Sequence, residues 1–401
     1  MTRQEGSTRP HAATAVVAIA LALDMFLYGA IIPVLPELPA VDGSAMPSGV
    51  LFAVYAAAQL STVPFVGRLV DRIGPRRPLQ AGILGVAAAT LFFGLATTVP
   101  GTAGLVLLIL GRAAQGVAAA ISWTAGLALV AAVHPAERRG QAMGLTLSAV
   151  GAGILLGPAV SGWLAGWLGP AAPFHLIAVF ALGDAIARFL LVKADDRPPV
   201  EVPLRTVAKG PRAGLLITLT TIGAAAIAYL EPVLPLHLDD LGVGSGGIGL
   251  AFAGAALAGV LGSPLGGGLA DRIGPDRVAA IGAAVVAAGF VLAGRDATAP
   301  AVAGLILAGF GAQLLLAPTL VLVGRLAEHQ QSPAYGVAYA LYNLAYTAGL
   351  TVAPLAAGLL GGLAGITGAT AGAAIAAGTL AVVMAAVRRD APARQRTGGR
   401  D

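Results

Sequence analysis

Twelve apolar runs, nearly all 20 residues or longer, leave this chain few structures to choose from. They fall at 12–34, 47–67, 78–98, 102–132, 141–168 and 173–192, and again at 214–236, 247–269, 278–294, 300–324, 334–361 and 366–387. A run of this length with at most one or two charges matches the thickness of a bilayer. Inside a bilayer no water satisfies the backbone N–H and C=O groups, so each run is expected to be a helix. Composition agrees: apolar residues make up 57% and charged residues 11%, against roughly 45–50% and about 25% in soluble domains. The 56 glycines and 26 prolines would break soluble helices but are common in membrane ones. With no cysteine, disulfides, thiol catalysis and cysteine-based metal sites are excluded.

The runs form two sets that repeat. GRLVDRIGPRR, from Gly67 to Arg77, returns as GGLADRIGPDR, from Gly267 to Arg277, with eight of eleven positions identical at an offset of 200. IPVLPEL (Ile32 to Leu38) matches EPVLPLHL (Glu231 to Leu238), and LLGPAVSGWL (Leu155 to Leu164) matches TVAPLAAGLL (Thr351 to Leu360). The first, second and fifth runs of each set thus correspond in order. The expected fold is an all-α membrane protein of twelve transmembrane helices in two pseudo-symmetric six-helix bundles. The expected boundaries are 1–192 and 214–387, with a proline-rich linker at 193–213 and a tail at 388–401. Parallel six-helix repeats place a binding site at their interface, near the bilayer midplane.

Charge sets the orientation. Taking the N-terminus as cytoplasmic, 21 of the 24 Lys and Arg residues fall in cytoplasmic loops or tails; Arg112 and Arg188 lie within runs, and Arg295 alone lies outside. This is the positive-inside pattern, with both termini cytoplasmic and the chain multi-pass in the cell's inner membrane. The net charge of +5 therefore belongs to retained loops and not to a nucleic-acid surface. The polar opening MTRQEGSTRPHAA precedes a run too long for a signal-peptide core, so no cleavage is expected.

Catalytic chemistry is absent from the pattern. The five histidines, His11, His134, His175, His237 and His329, are scattered without metal-ligand spacing or a Ser/His/Asp grouping. DRIGP lacks the Lys-Ser/Thr of a phosphate loop. No enzyme activity, cofactor or metal is expected, and the energy for any work must come from an ion gradient.

GRLVDRIGPRR resembles the loop signature between helices 2 and 3 of the major facilitator superfamily, with Pro75 where a basic residue is usual. RAAQGVAAA (Arg112 to Ala120) resembles the family's helix-4 signature, and GAGILLGPAVSG (Gly151 to Gly162) its helix-5 antiporter motif. Within the family the chain is similar to the vesicular amine transporters and bacterial multidrug exporters: LDMFLYGAIIPVLPEL to their first helix, AYLEPVLPLHL to their seventh, and YGVAYALYNLAYTAGLTVAP to their eleventh. There are departures. Tyr55 stands where the vesicular transporters carry a lysine, and Leu316 and Asn343 stand at aspartate positions. The resemblance implies a proton-coupled antiporter exporting small lipophilic or cationic compounds, acting as a monomer. A proton-coupled importer of a metabolite is the alternative, against which the helix-5 GPxxxG stretch argues.

Charges within a membrane need a reason, since each costs about 2.5–3.5 kcal/mol on insertion scales. Asp24, in IALALDMFLYGAII, has no charged neighbour in sequence; it exchanges protons, pairs with a substrate ammonium or hydrogen-bonds another helix. Glu231 precedes Pro232 in the seventh run, where Pro235 also weakens the helix, and is a second protonatable group or a hydrated carboxylate near the outer surface. Arg112 either holds a carboxylate charged or forms a structural ion pair. Asp184 and Arg188, four apart, are expected to pair with each other. Tyr335, Tyr339, Tyr342 and Tyr346, at spacings of 4, 3 and 4, lie within about 60° of one helix face. That stripe is either an aromatic wall for flat organic cations or a packing seam, with Tyr335 an interfacial anchor. Asn343 flanks it. Tyr28, Tyr55, Gln59 and Gln313 complete the expected substrate set beside Asp24 and Glu231, with Asp24, Glu231 and Arg112 coupling protons.

The loops supply the expected gate. Asp71 and Arg72, and their repeats Asp271 and Arg272, sit at helix ends where an aspartate favours the positive N-terminus of a neighbouring helix. Gly67 permits close helix approach, Gly74 a tight turn, and Gly157 and Pro158 belong to the helix-5 motif. If Asp71 latches the cytoplasmic side, Asp71→Asn impairs transport while the protein still inserts. Transport at the normal rate by that variant, measured in vesicles with matched protein content, refutes the latch.

Overall fold

A computed structural model describes residues 10–134, 136–191, 213–328 and 335–387. Among them there is no strand. Helices α1 to α6 span Pro10–Ala30, Ala45–Ile73, Arg76–Ala96, Gly101–Val133, Ala136–Leu168 and Ala172–Leu191. Then follow α7 (Ala213–Ala228), a short helix at Leu234–Asp240, α8 (Ser245–Ile273), α9 (Pro275–Ala293) and α10 (Thr298–Glu328). The last helical run, Tyr335–Val387, is broken at Gly365, whose φ of 65° and ψ of −179° are non-helical; residues 335–364 and 366–387 are α11 and α12. Ten runs among the described residues are long and apolar enough to cross a membrane, Tyr335–Val387 contributing one of them, and Ala213–Ala228 is a shorter apolar helix. The expected linker and tail lie outside the described residues, apart from Ala213.

Two expected helices are interrupted, and the same sequence element interrupts both. The first run ends as an α-helix at Ala30 and continues as a 3-10 turn at Ile32–Glu37. The seventh ends at Ala228 and resumes at Leu234. Each contains PVLP, whose prolines lack the N–H an α-helix needs and clash with the preceding turn. Unsatisfied carbonyls follow, and such backbone is tolerated at membrane depth only inside protein or along a cavity.

Packing reproduces the repeat. Within the first set α2 packs on α4, α3 on α4 and α6, and α1 on α5; within the second α8 packs on α10, α9 on α10 and α12, and α7 on α11. Large apolar side chains remain exposed on the outer faces, among them Phe65, Trp167 and Leu363, a surface suited to lipid and not to water.

The two sets meet through α2 against α11 and α5 against α8. In the first contact a Cβ at Gly49 would collide with the carbonyl oxygen of Pro354; in the second, a Cβ at Gly249 would collide with that of Pro158. Gly49 and Gly249 are 200 residues apart, and Pro158 and Pro354 are also repeat partners. The interface is therefore built twice from one pattern, a glycine of one set against a proline carbonyl of the other. Both contacts lie at the end of the bundle opposite the DRIGP turns. There Gly74 and Gly274 end their helices at φ of 77° and 91°, the conformation that makes glycine necessary. In contrast to the expectation for Gly67, nothing stands within 4 Å of the Cβ position at Gly67 or at its repeat Gly267: no close approach occurs there. Gly49→Ala and Gly249→Ala, which force the interface apart, should each destabilise the protein by about 1–3 kcal/mol. Gly268→Ala, in open space within α8, should be neutral or slightly stabilising. Thermal unfolding in detergent distinguishes the two groups, and equal melting temperatures would contradict the packing.

Candidate functional site

Asp24 and Arg112 of the first set converge where the two sets meet. Asp24 and Tyr28 lie one turn apart on α1, and α2 brings Tyr55 beside them. On α4 the glycine of RAAQG explains the approach: a Cβ at Gly116 would collide with the carbonyl oxygen of Tyr55. Arg112, one turn earlier on the same face, is thereby set against the Tyr55 ring, its guanidinium carbon 4.4 Å from the ring centroid. Rings of Phe52 and Tyr28 stand 5.9 and 6.0 Å from the same carbon. Asp24 is 1% exposed, Glu231 5% and Arg112 0%.

A carboxylate buried this way must find donors in the protein. Asp24 has two: the Tyr55 hydroxyl donates to Oδ1 at 2.9 Å, and the Trp123 indole N–H donates to Oδ2. Glu231 sits in the turn that interrupts the seventh run and accepts the Tyr28 hydroxyl on Oε2 at 2.6 Å. That bond joins the two sets of helices. The turn is anchored from behind, since the Tyr229 hydroxyl donates to the carbonyl of Ala369 at 2.9 Å and its ring packs on Phe290. Tyr28 and Tyr55 have ring centroids 5.5 Å apart, so the two carboxylates are linked through a tyrosine pair.

Arg112 does not form an ion pair with either carboxylate. Its Nε donates to the carbonyl of Leu51 at 3.2 Å and its Nη1 to Oε1 of Gln115 at 3.0 Å. Gln115 in turn donates to Thr90 at 3.4 Å. The Nη2 has no hydrogen-bond partner among the described residues. The guanidinium thus supplies positive potential to the cluster from behind the Tyr55 ring, through a cation–π contact. The other buried pair behaves as expected: Arg188 Nε donates to Asp184 at 2.7 Å, and Arg188 Nη2 reaches the carbonyl of Val16 at 3.3 Å.

Not every expected substrate residue joins this cluster. On α11 Tyr346 is half-buried, lies within electrostatic reach of Tyr28 and Glu231 and stacks with Tyr342, centroids 6.0 Å apart at 25°, while Asn343 is exposed without a contact to the carboxylates. The side chains of Tyr335 and Tyr339 lie outside the described residues. Gln59 is half-buried on α2, and Gln313 packs against Gly259 of α8; neither hydrogen-bonds to the cluster. In the helix-5 motif, Pro158 lies against α1 as well as α8: a Cβ at Gly29 would stand 2.8 Å from its Cδ, and one at Gly157 would stand 2.7 Å from the Phe26 carbonyl oxygen. The Asp71 side chain lies outside the described residues. Asp271, Arg272 and Arg72 are exposed, and Asp271 has no ion-pair partner among the described residues. Trp123 is the site residue that sequence reasoning missed. It follows Arg112 by 11 residues, three turns on the same face of α4, and that spacing was the available signal.

The profile of the major facilitator superfamily matches residues 17–226 and again residues 215–401. The chain belongs to that superfamily. The synaptic vesicular amine transporter of Mus musculus is 30% identical over 315 residues, covering 76% of this chain and 59% of its own length. The chromaffin granule amine transporter of Homo sapiens is 30% identical over 317 residues, covering 76% of this chain and 58% of its own. A probable vesicular acetylcholine transporter of Danio rerio is 29% identical over 364 residues, covering 85% and 72%. The chain thus spans about three-fifths of the length of the vesicular amine relatives it matches. These relatives are transporters, not enzymes. Among solved structures, a bacterial homologue of the human lysosomal transporter Spinster, inward-facing and unoccupied, superposes with a TM-score of 0.73 at 15% identity, covering 94% of this chain and 95% of that one. The likeness is one of fold.

Arg112→Lys should not preserve the site, because a lysine cannot hold Leu51 and Gln115 together and lie flat on Tyr55. The expected loss is about 2 kcal/mol of stability, read as a lower melting temperature. A variant that melts with the wild type would show the guanidinium contacts to be dispensable.

Proposed function

We propose that this chain is a proton-coupled secondary transporter that exports small lipophilic or cationic compounds by alternating access, in the manner of a multidrug antiporter. One observation carries this reading. The two carboxylates of the central cluster, Asp24 and Glu231, are held by neutral donors, and no described cation is ion-paired with either. A buried carboxylate without a resident counter-ion is a place for a proton or a substrate ammonium, and competition between the two couples one flux to the other. Aromatic rings of Tyr28, Tyr55 and Phe52 surround the cluster, which suits an organic cation. The relatives named for amines support the same class. The matching of Gly157 and Pro158 to the helix-5 motif favours export over import.

The twin Gly–Pro contacts serve as the closed end of the cycle, and the exposed residues at the DRIGP turns as the open one. Rocking the two helix sets about the site exchanges these states, with the protein acting as a monomer in the cell's inner membrane. In vesicles holding the purified protein, a pH gradient should drive transport of a fluorescent lipophilic cation, and dissipating the gradient should abolish it. Asp24→Asn and Glu231→Gln should each lower gradient-driven transport by at least about tenfold, or ~1.4 kcal/mol. Undiminished gradient-driven transport by both variants would refute the coupling role of the carboxylates.

A further inference from the structure

Asp24 is held by two donors of different chemical kind, and the difference gives its two oxygens different work. An indole N–H only donates, so the Trp123 contact with Oδ2 is unable to reverse. A phenol hydroxyl donates or accepts, so the Tyr55 contact with Oδ1 at 2.9 Å is reversible by rotation about its C–O bond. Tyr55 itself is immobilised: 1% exposed, its ring lies under the Arg112 guanidinium and against Tyr28. Arg112 is fixed in turn by Leu51 and Gln115.

From this geometry we infer that Trp123 is a positioning residue that fixes the Asp24 carboxyl group, and that Tyr55 is the residue through which Asp24 gains and loses its proton, always at Oδ1. This rests on the proposed coupling role of Asp24. In the charged form Oδ1 accepts from Tyr55 and Oδ2 from Trp123. When a solvent proton reaches the Tyr55 oxygen, the phenol O–H bond facing Asp24 breaks as its hydrogen passes to Oδ1, the incoming proton becomes the new phenol hydrogen, the carboxyl becomes neutral, and the Tyr55 oxygen now accepts from it. Oδ2, now the carbonyl oxygen, keeps its bond from Trp123. Release reverses each transfer and returns one proton to solvent, so charge and protons balance over the cycle. The carboxyl plane stays fixed throughout, and every protonation ends with the Tyr55 hydroxyl hydrogen pointing away from Asp24. The state of the carboxyl is thereby passed on to the hydroxyl of a residue packed against Tyr28, which holds Glu231.

The chain has three tryptophans, and two of them, Trp163 and Trp167, are exposed and stacked on each other, apart from the site. The combined variant Trp163→Phe/Trp167→Phe therefore leaves Trp123 as the sole indole in an otherwise intact protein. Its emission should change reversibly on acidification of the reconstituted protein, and Asp24→Asn in the same background should remove the change. Tyr55→Phe should lower pH-driven transport of a fluorescent cation by about tenfold, the worth of one hydrogen bond to a charged group. Substrate-for-substrate exchange, which requires no net protonation, should fall far less in the same variant than pH-driven transport does. An acid response that persists in Asp24→Asn, or that never appears, overturns the assignment of Trp123. Equal effects of Tyr55→Phe on exchange and on pH-driven transport overturn that of Tyr55. Full pH-driven transport by Asp24→Asn would instead overturn the underlying coupling role, so the two failures are distinguishable.

Discussion

Two glycines set the geometry on which the rest of the molecule depends. At Gly49 and Gly249 a helix of one set lies directly against a proline carbonyl of the other, so closely that a methyl group would not fit. Helices driven together in lipid gain little from hydrophobic burial, since the tails are as apolar as leucine; close backbone approach and dispersion replace it. The two contacts are related by the internal repeat, and they hold the sets together at one end only. Pro158 serves twice, meeting α8 at Gly249 and α1 at Gly29. Its position brings α1 to the centre, and only from there does Tyr28 reach Glu231, 203 residues further along the chain.

At that centre the electrostatic problem is solved without ion pairs. Burying a charge pair costs desolvation that good geometry barely repays. Here the positive and negative groups are near but not in contact. Arg112 spends its hydrogen bonds on a backbone carbonyl and a glutamine and faces the carboxylates across tyrosine rings. The arrangement keeps positive potential close to Asp24 without occupying its lone pairs. Tyr55 supplies Asp24 with a neutral donor, and no described cation is ion-paired with the carboxylate.

Much of this was legible in the residues, for reasons that also explain what was not. Apolar length and the repeat specify helices and their pairing because a bilayer forbids unsatisfied backbone, and the rarity of Asp24, Arg112 and Glu231 in apolar runs marks them directly. Trp123 was not marked by the same logic. A tryptophan in a membrane helix is ordinary, and only its register with Arg112, together with the approach of α1, gives its N–H a carboxylate. The break at Tyr229–Val233 was foreshadowed by Pro232 and Pro235, but its depth depends on the Tyr229 anchor to α12, a contact 140 residues distant. The polar residues Gln59, Gln313 and Asn343 show the converse. A polar side chain on the right helix does not join a site unless the helix turns it there, and the helical period alone does not say which face the partner helices cover.

The repeat also shows why the chemistry is lopsided. Leu316 on α10 is buried against α7, its side chain filling the space a Cβ at Gly223 would need, 2.7 Å away. Leu316 thus serves packing, and among the described residues Glu231 is the second set's one buried carboxylate at the interface. The first set likewise contributes one, Asp24. Each carboxylate is fastened by a tyrosine, Tyr55 for Asp24 and Tyr28 for Glu231, and both tyrosines belong to the first set. In the proposed cycle of rocking halves, Asp24 keeps its donors because they move with it, whereas Glu231 must part from Tyr28 or carry α1 along. The Tyr28–Glu231 bond is therefore the element of the site that relative motion of the halves tests first.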